Sequence, residues 1–379
     1  MMNDPIYLDH NATTPLLPEV VDAMLPYLRE HFGNPSSGHV YGARARAAVA
    51  HAREQVAALL GCDADEIVFT SGGTEANNLA IRGVTEALEQ KSHVVTTVIE
   101  HPATARPCAW LEKHERSVTR IGVDADGRAR VDAAQAAIDA DTALVTVMHS
   151  NNETGVLQPV AEFAQLAHAA GALVHTDAAQ SLGKVPVRVR ELGVDLLSVA
   201  GHKLYAPKGV GALYVKRGTP LVPFALGASH ERGLRPGTEN VASIVGLGAA
   251  CEAVGRDLDS AAARVQRLRD LLWERLAAGV PGLALNGHRE LRLPNTLNVR
   301  FPRVSGNTVL EGAPEVAAST GSACHEGHES ASAVILAMGV TPEEALGSIR
   351  LTLGRSTTED EVVRAADALV GSWQRLTRE

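Results

Sequence analysis

The 379 residues are 45% hydrophobic, enough to enclose a large core and a smaller second one. A formal charge of −9 leaves no basic footprint for a nucleic-acid backbone, so direct nucleic-acid binding is excluded as a function. The four cysteines form no Cys-x-x-Cys pair and no zinc spacing, and there is neither an apolar run long enough to span a membrane nor a leader at Met1-Met2-Asn3-Asp4-Pro5; a soluble, cytoplasmic chain is expected.

The predicted elements begin with an N-terminal arm at 1–15 and an alanine-rich helix from Ala43 to Leu60. Glu66 to Thr70 reads as a strand, and Ser71-Gly72-Gly73-Thr74-Glu75 opens the helix after it. Backbone N–H groups at such a start, with two glycines allowing close approach, cradle a monophosphate. The glycines lack dinucleotide spacing and no P-loop lysine follows, so neither NAD nor ATP is favoured. Taken alone, the segment reads as an ordinary helix capped by Thr74.

Two further strands end in polar groups. Val94 to Ile99 runs into Glu100-His101-Pro102, and Leu144 to Met148 into His149-Ser150-Asn151-Asn152. His101 can stack on a flat ring, and Asn152 can bond a ring oxygen. The run Ala172-Leu173-Val174-His175 leads to Thr176-Asp177-Ala178-Ala179-Gln180, where Asp177 is either a helix cap or a carboxylate beside a cofactor's ring nitrogen. One strand later, Val194 to Val199 leads through Ala200-Gly201-His202 to Lys203. An amine at the carboxyl end of a parallel strand, partly desolvated, loses its proton near neutral pH and condenses with a carbonyl. A phosphate cradle, a carboxylate and such a lysine on successive strands together point to pyridoxal phosphate.

Strands and helices alternate from about Glu66 to Val215, the pattern of a parallel sheet with crossover helices. A long amphipathic stretch from Val241 to Leu276 then leads away, with Val265, Leu268, Leu271 and Leu272 at helical spacing. A strand at Thr296 to Val299, a loop of small and polar residues around Cys324, a strand at Ile349 to Leu353 and a helix from Thr358 to Leu376 form a small α+β unit. The expected division is a large cofactor-binding domain over 16–254 and a small domain over 255–379 that packs with the arm. Cys324, in an exposed setting beside His325 and His328, is the thiol suited to ionise. Cys251 reads as a packed thiol, and Cys62 and Cys108 as structural.

The runs Ser71 to Asn78, Ile99 to Thr104, Asn151 to Gly155, Thr176 to Gln180, Ala200 to Lys203, Arg235 to Val241 and Thr320 to Cys324 together resemble the cysteine desulfurases of the NifS and IscS type. These are fold-type I pyridoxal phosphate enzymes of aminotransferase class V, and the likeness runs from Tyr7 to Arg355. It implies an α/β fold: a mainly parallel seven-stranded sheet flanked by helices, plus the small α+β domain.

By that resemblance Lys203 bonds the cofactor, Asp177 pairs with its ring nitrogen and His101 stacks on the ring. Gly73, Thr74 and His202 hold the phosphate, and Asn152 and Gln180 bond the ring oxygen. Thr238 reaches the phosphate of the partner subunit in a homodimer. Arg350, helped by Asn34, receives the substrate carboxylate. Cys324 takes sulfur from L-cysteine as a persulfide, leaving L-alanine, for delivery to an acceptor such as an iron–sulfur scaffold protein. One position departs: Ala200 stands where the pattern has serine, which removes a phosphate hydrogen bond and also fits the selenocysteine lyases, whose substrate is L-selenocysteine. A class V aminotransferase without sulfur chemistry is the second alternative.

Overall fold

The computed structural model describes residues 4–321 and 330–378. The chain enters through β1 (Ile6–Tyr7), then α1 (Pro18–Arg29) and α2 (Val40–Leu60). Strands β2 (Ile67–Thr70), β3 (His93–Thr97), β4 (Ser117–Ile121), β5 (Thr142–Thr146), β6 (Leu173–Asp177), β7 (Leu196–Ala200) and β8 (Gly211–Val215) follow. Helices α3 (Gly73–Ala87), α4 (Pro102–Glu112), α5 (Val131–Ala137), α6 (Val160–Ala169) and α7 (Val189–Leu192) lie between them. The strands pair in the order β2-β8-β7-β6-β5-β3-β4, and only β8 opposes its neighbours. This is the mainly parallel seven-stranded sheet the sequence implied.

Alternate residues explain why the strands read as continuous apolar runs. Val68, Val94, Leu144, Leu196 and Leu213 face Leu79 and Ile81 of α3 and Leu111 of α4. Phe69, Val95, Val145, Leu197 and Ala212 belong to the core cluster that includes Val56 and Leu60 of α2 and Phe163 of α6. With both faces covered, no polar alternation is left to see.

The stretch from Val241 to Leu276, read as continuous, is two helices: α8 (Val241–Arg256) and α9 (Leu258–Gly279). They serve different cores. Leu247, Cys251 and Val254 of α8 join the large core, whereas Val265, Leu268 and Leu272 of α9 join a second one, so the chain must turn at Asp257. Arg355 holds the Asp257 carboxylate there, with Nη1 at 3.0 Å from Oδ2.

The remaining elements are β9 (Ala284–Leu285), β10 (Thr296–Arg300), α10 (Gly306–Glu311), β11 (Val316–Ala317), α11 (Ala333–Ala337), α12 (Pro342–Leu346), β12 (Ser348–Thr352) and α13 (Glu359–Arg378). An antiparallel sheet, β12-β10-β9, packs Leu297, Val299, Ile349 and Leu351 with α9 and with Leu369 and Trp373 of α13. Ile6 and Leu8 of the arm are buried in this second core, and β1 pairs in parallel with β11. Among the described residues no helix is long and apolar enough to cross a membrane.

Candidate active site

The carboxyl ends of five parallel strands converge on one cavity of about 380 Å³. Beyond β2 lie Gly73 and Thr74; beyond β3, His101; beyond β5, Asn152; at the end of β6 and just past it, Asp177 and Gln180; beyond β7, His202 and Lys203. An open α/β sheet gathers polar loop residues at this edge because its helices cover both faces. Arg350 of β12 closes the cavity from the second core, and Asn11 and Ala12 enter from the arm.

Lys203 ends a single helical turn, Gly201–Lys203, directly after β7. Its Nζ donates to the main-chain carbonyls of Asn11 at 2.5 Å and Ala12 at 2.7 Å. Burial, then the Arg350 charge, lowers its pKa to about 8, although Asp9 and Asp177 oppose the shift. The amine still carries its proton for most of the time near pH 7, but it gives that proton up far more readily than an ordinary lysine. It is held without being locked in an ion pair.

Asp177 caps no helix. Its Oδ1 accepts from the Ala179 N–H at 2.9 Å in a local turn, and its Oδ2 accepts from Asn77 Nδ2 at 2.7 Å. His101 does cap a helix: its Nδ1 accepts from the Ala103 N–H at 3.1 Å at the start of α4, which fixes the ring. Burial lowers the His101 pKa, with Asp177 opposing and Lys203 adding to the shift. Burial and the charges of Lys203, Lys208 and Lys184 push His202 to about 4, so it is a neutral ring, with Thr13 Oγ1 3.2 Å from its Nδ1.

The start of α3 differs from the simplest reading of its sequence. Gly72, not Thr74, is the cap residue; it has φ +148° and no side chain to satisfy the first N–H groups. Gly73 sits so near Ala200 that an added Cβ would lie 3.2 Å from the alanine Cβ. This is an open helix N-terminus at the cavity wall, suited to an anion. With the Asp177 carboxylate and the Lys203 amine, its pKa lowered, on the same cavity, the donor set fits a phosphate-bearing pyridine aldehyde.

Three predicted residues are not brought in. Asn34 is exposed, its Oδ1 accepting from the Ser36 N–H at 2.9 Å, and Thr238 is exposed; neither lines the cavity. Cys324 lies outside the described residues. The segment before Thr238 is anchored firmly: Arg53 clamps the buried Glu231 carboxylate at 2.6 and 2.7 Å, and the Phe69 N–H donates to it at 2.8 Å. Arg350 is already engaged, with Nη2 on Asp9 Oδ1 at 2.7 Å, Nη1 on the Asn152 carbonyl at 3.1 Å and a buried Nε without a partner. The described thiols are inert, since burial pushes Cys62, Cys108 and Cys251 each to about 12.

Several site residues carried no local signal. Asn11 is the hub: its carbonyl accepts from Lys203 and from Gln180 Nε2 at 3.0 Å, while its Nδ2 donates to the Asn152 carbonyl at 3.2 Å and Thr296 Oγ1 at 3.0 Å. Glu100 is half-buried, with its carboxylate turned inward; its Oε1 accepts from Thr97 Oγ1 at 2.7 Å and the Met148 N–H at 3.0 Å, and burial raises its pKa to about 8. Lys184, itself buried, stands behind Gln180. The run Tyr7 to Thr14 was the only pointer to the arm, and it gave no individual roles.

Comparison with known proteins agrees with this geometry. The family profile described as Aminotransferase class-V matches residues 6–364. The chain is 45% identical over 374 residues to the cysteine desulfurase IscS of Dictyoglomus turgidum, covering 97% of this chain and 94% of that protein. A solved structure of a NifS-like protein superposes with a TM-score of 0.91 at 36% identity, covering 99% of this chain and 100% of the other. A second, described as SspA in complex with cysteine, gives 0.81 at 34% identity over 93% of this chain and 99% of the other. By fold, site and relatives, the chain belongs to the class-V aminotransferase family and, within it, to the cysteine desulfurases of the NifS and IscS type.

Proposed function

We propose that the chain is a pyridoxal phosphate-dependent enzyme that converts L-cysteine to L-alanine and passes the sulfur, as a Cys324 persulfide, to an acceptor such as an iron–sulfur scaffold protein. The observation that carries this reading is the half-buried Lys203 amine just past β7, lining one cavity with Asp177, His101 and the open start of α3. Gly73, Thr74 and His202 would hold the cofactor's phosphate, Asp177 its ring nitrogen, and Asn152 and Gln180 its ring oxygen, with His101 against the ring. When bound, the cofactor supplies an electron sink that stabilises negative charge at the substrate Cα.

The chain's own groups do the rest. Lys203, with its pKa lowered to about 8, takes the Cα proton and returns one, and the Asn11 and Ala12 carbonyls hold the resulting ammonium. Arg350 binds the substrate carboxylate through N–H groups it shares with Asp9 and the Asn152 carbonyl. The Cys324 thiolate attacks the substrate sulfur. An S–S bond forms as the C–S bond breaks, and the pair of electrons stays with the carbon frame, which takes up a proton and leaves as L-alanine. Two chains form the working unit, Thr238 of each reaching the other's phosphate site.

Ala200, on the cavity wall where the family pattern has serine, supports one second reading, release of selenium from L-selenocysteine. Turnover of both amino acids by wild type, Lys203→Ala and Cys324→Ala separates the two. On the desulfurase reading, Lys203→Ala abolishes alanine formation, and Cys324→Ala abolishes it from cysteine together with the persulfide seen by mass spectrometry. A wild-type enzyme that turns over selenocysteine and is merely inhibited by cysteine would overturn it.

A further inference from the structure

The two ends of a glutamine amide are nearly identical in shape and opposite in hydrogen bonding, so their partners decide which end faces a site. At Gln180 the partners are unambiguous. Nε2 lies 3.0 Å from the main-chain carbonyl of Asn11, which only accepts, and Oε1 lies 3.1 Å from Lys184 Nζ, which donates. Turned over, the amide would set oxygen against oxygen and NH₂ against the amine. Lys184 also donates to Asn11 Oδ1 at 3.3 Å, an oxygen it shares with Asn295 Nδ2 at 3.1 Å. With its oxygen taken, Asn11 turns its own NH₂ to the Asn152 carbonyl and Thr296. One amine thus touches the oxygen of two amides that line the cavity, sharing Asn11 with Asn295 and being the side-chain donor on Gln180.

Lys184 is an expensive residue to keep there. It is 8% exposed, its hydrogen-bond partners are two amide oxygens, and the charges acting on it, Lys203 and Arg350, are both cations. Its pKa falls to about 7 through burial and those two charges, and the amine donates in either protonation state. An apolar side chain would cost less in the same space, so stability alone does not account for it.

We infer that Lys184 is a positioning residue: from behind the cavity it holds the oxygen of Gln180, turning that amide's N–H groups to the cavity side, where they serve the cofactor's ring oxygen. This rests on the proposed reading of the cavity as a pyridoxal phosphate site. A donor on the ring oxygen stabilises its negative charge. Without it, that oxygen holds the neighbouring proton, on the nitrogen linking Lys203 to the cofactor, more tightly, and the cofactor titrates at higher pH.

The test is the visible absorbance of bound pyridoxal phosphate, titrated against pH in the holoenzyme. Lys184→Met raises the midpoint by about one pH unit, the effect of one hydrogen bond to a charged group, with the cofactor still bound. Gln180→Ala shifts it the same way, and in the double variant the two shifts fail to add, because Lys184 acts through Gln180. An unchanged midpoint in Lys184→Met, or full additivity, overturns the inference and leaves the proposed function standing. An unchanged midpoint in Gln180→Ala removes Gln180 from the ring oxygen and the inference with it. A wild-type protein that gains no visible absorbance with pyridoxal phosphate overturns the proposed function itself. Should Lys184→Met not fold, Lys184→Leu replaces it in the same cycle.

Discussion

Glu100 precedes His101 and ties the ends of two strands, taking the Thr97 hydroxyl and the Met148 N–H on one oxygen while the other lies buried without a partner. Burial raises its pKa to about 8 from the ordinary 4.5. Between those values the folded protein keeps a proton that the unfolded chain releases. Stability therefore falls as pH rises through that window, by up to about 1.4 kcal/mol per pH unit, and levels off above it. Glu100→Gln keeps the acceptor and has no proton to lose. Its melting temperature relative to wild type is expected to climb steadily from pH 5 to pH 8; a difference that stays constant across that range would show the carboxyl to be ionised throughout. Lys203 and Asp177 were legible because each closes a short apolar run with abrupt polarity. Asn11 and Lys184 were not, since their partners stand far off in the chain and only folding brings them together.

Among the elements, α3 presents an uncapped start at the cavity wall, and its neighbour offers that start little. Ala200 at the end of β7 faces Gly73 without a hydroxyl to offer. Ala200→Ser adds one beside the open helix start. Since a hydrogen bond to a charged group contributes about 1.5–3 kcal/mol, the dissociation constant for pyridoxal phosphate should tighten about tenfold or more in a titration of the apoenzyme. No change would place the phosphate elsewhere. The sequence revealed which segments were strands and helices, because apolar runs and glycine punctuation are local. It hid the break at Asp257, because α8 and α9 are both amphipathic and only their attachment to separate cores forces the turn. The Gly72 cap was hidden for a similar reason: threonine is the better cap in isolation, and a bare helix start is favoured only where an anion is to be received.

Across the whole molecule, apolar surface is left uncovered. Phe32 is 78% exposed and stacked on the half-exposed Tyr41, and Leu226 is 94% exposed. A second copy of the chain would cover such surface, and the proposed role of the exposed Thr238 calls for one. Sedimentation of the holoenzyme at micromolar concentration should give a dimer, and Thr238→Ala should weaken cofactor binding there without dissociating it. A fully active monomer would exclude any exchange of Thr238 between subunits. Thr238, read from the family pattern as acting across an interface, is away from the cavity within one chain, and so is Asn34, read as a helper of Arg350.

The N-terminal arm has a further consequence, in time rather than space. Leu8 donates its N–H to the Ala317 carbonyl and accepts from the Thr352 N–H, and Asn11 leans on Thr296 and Thr352 before its carbonyl can meet Lys203. The arm thus waits for partners, one of them 341 positions further along the chain. Contacts of such separation close late, after each core has condensed from its nearer neighbours. A nascent chain can build its central sheet and still lack the fixed carbonyls that hold the lysine, so the Lys203 amine is seated only after β12 has been made.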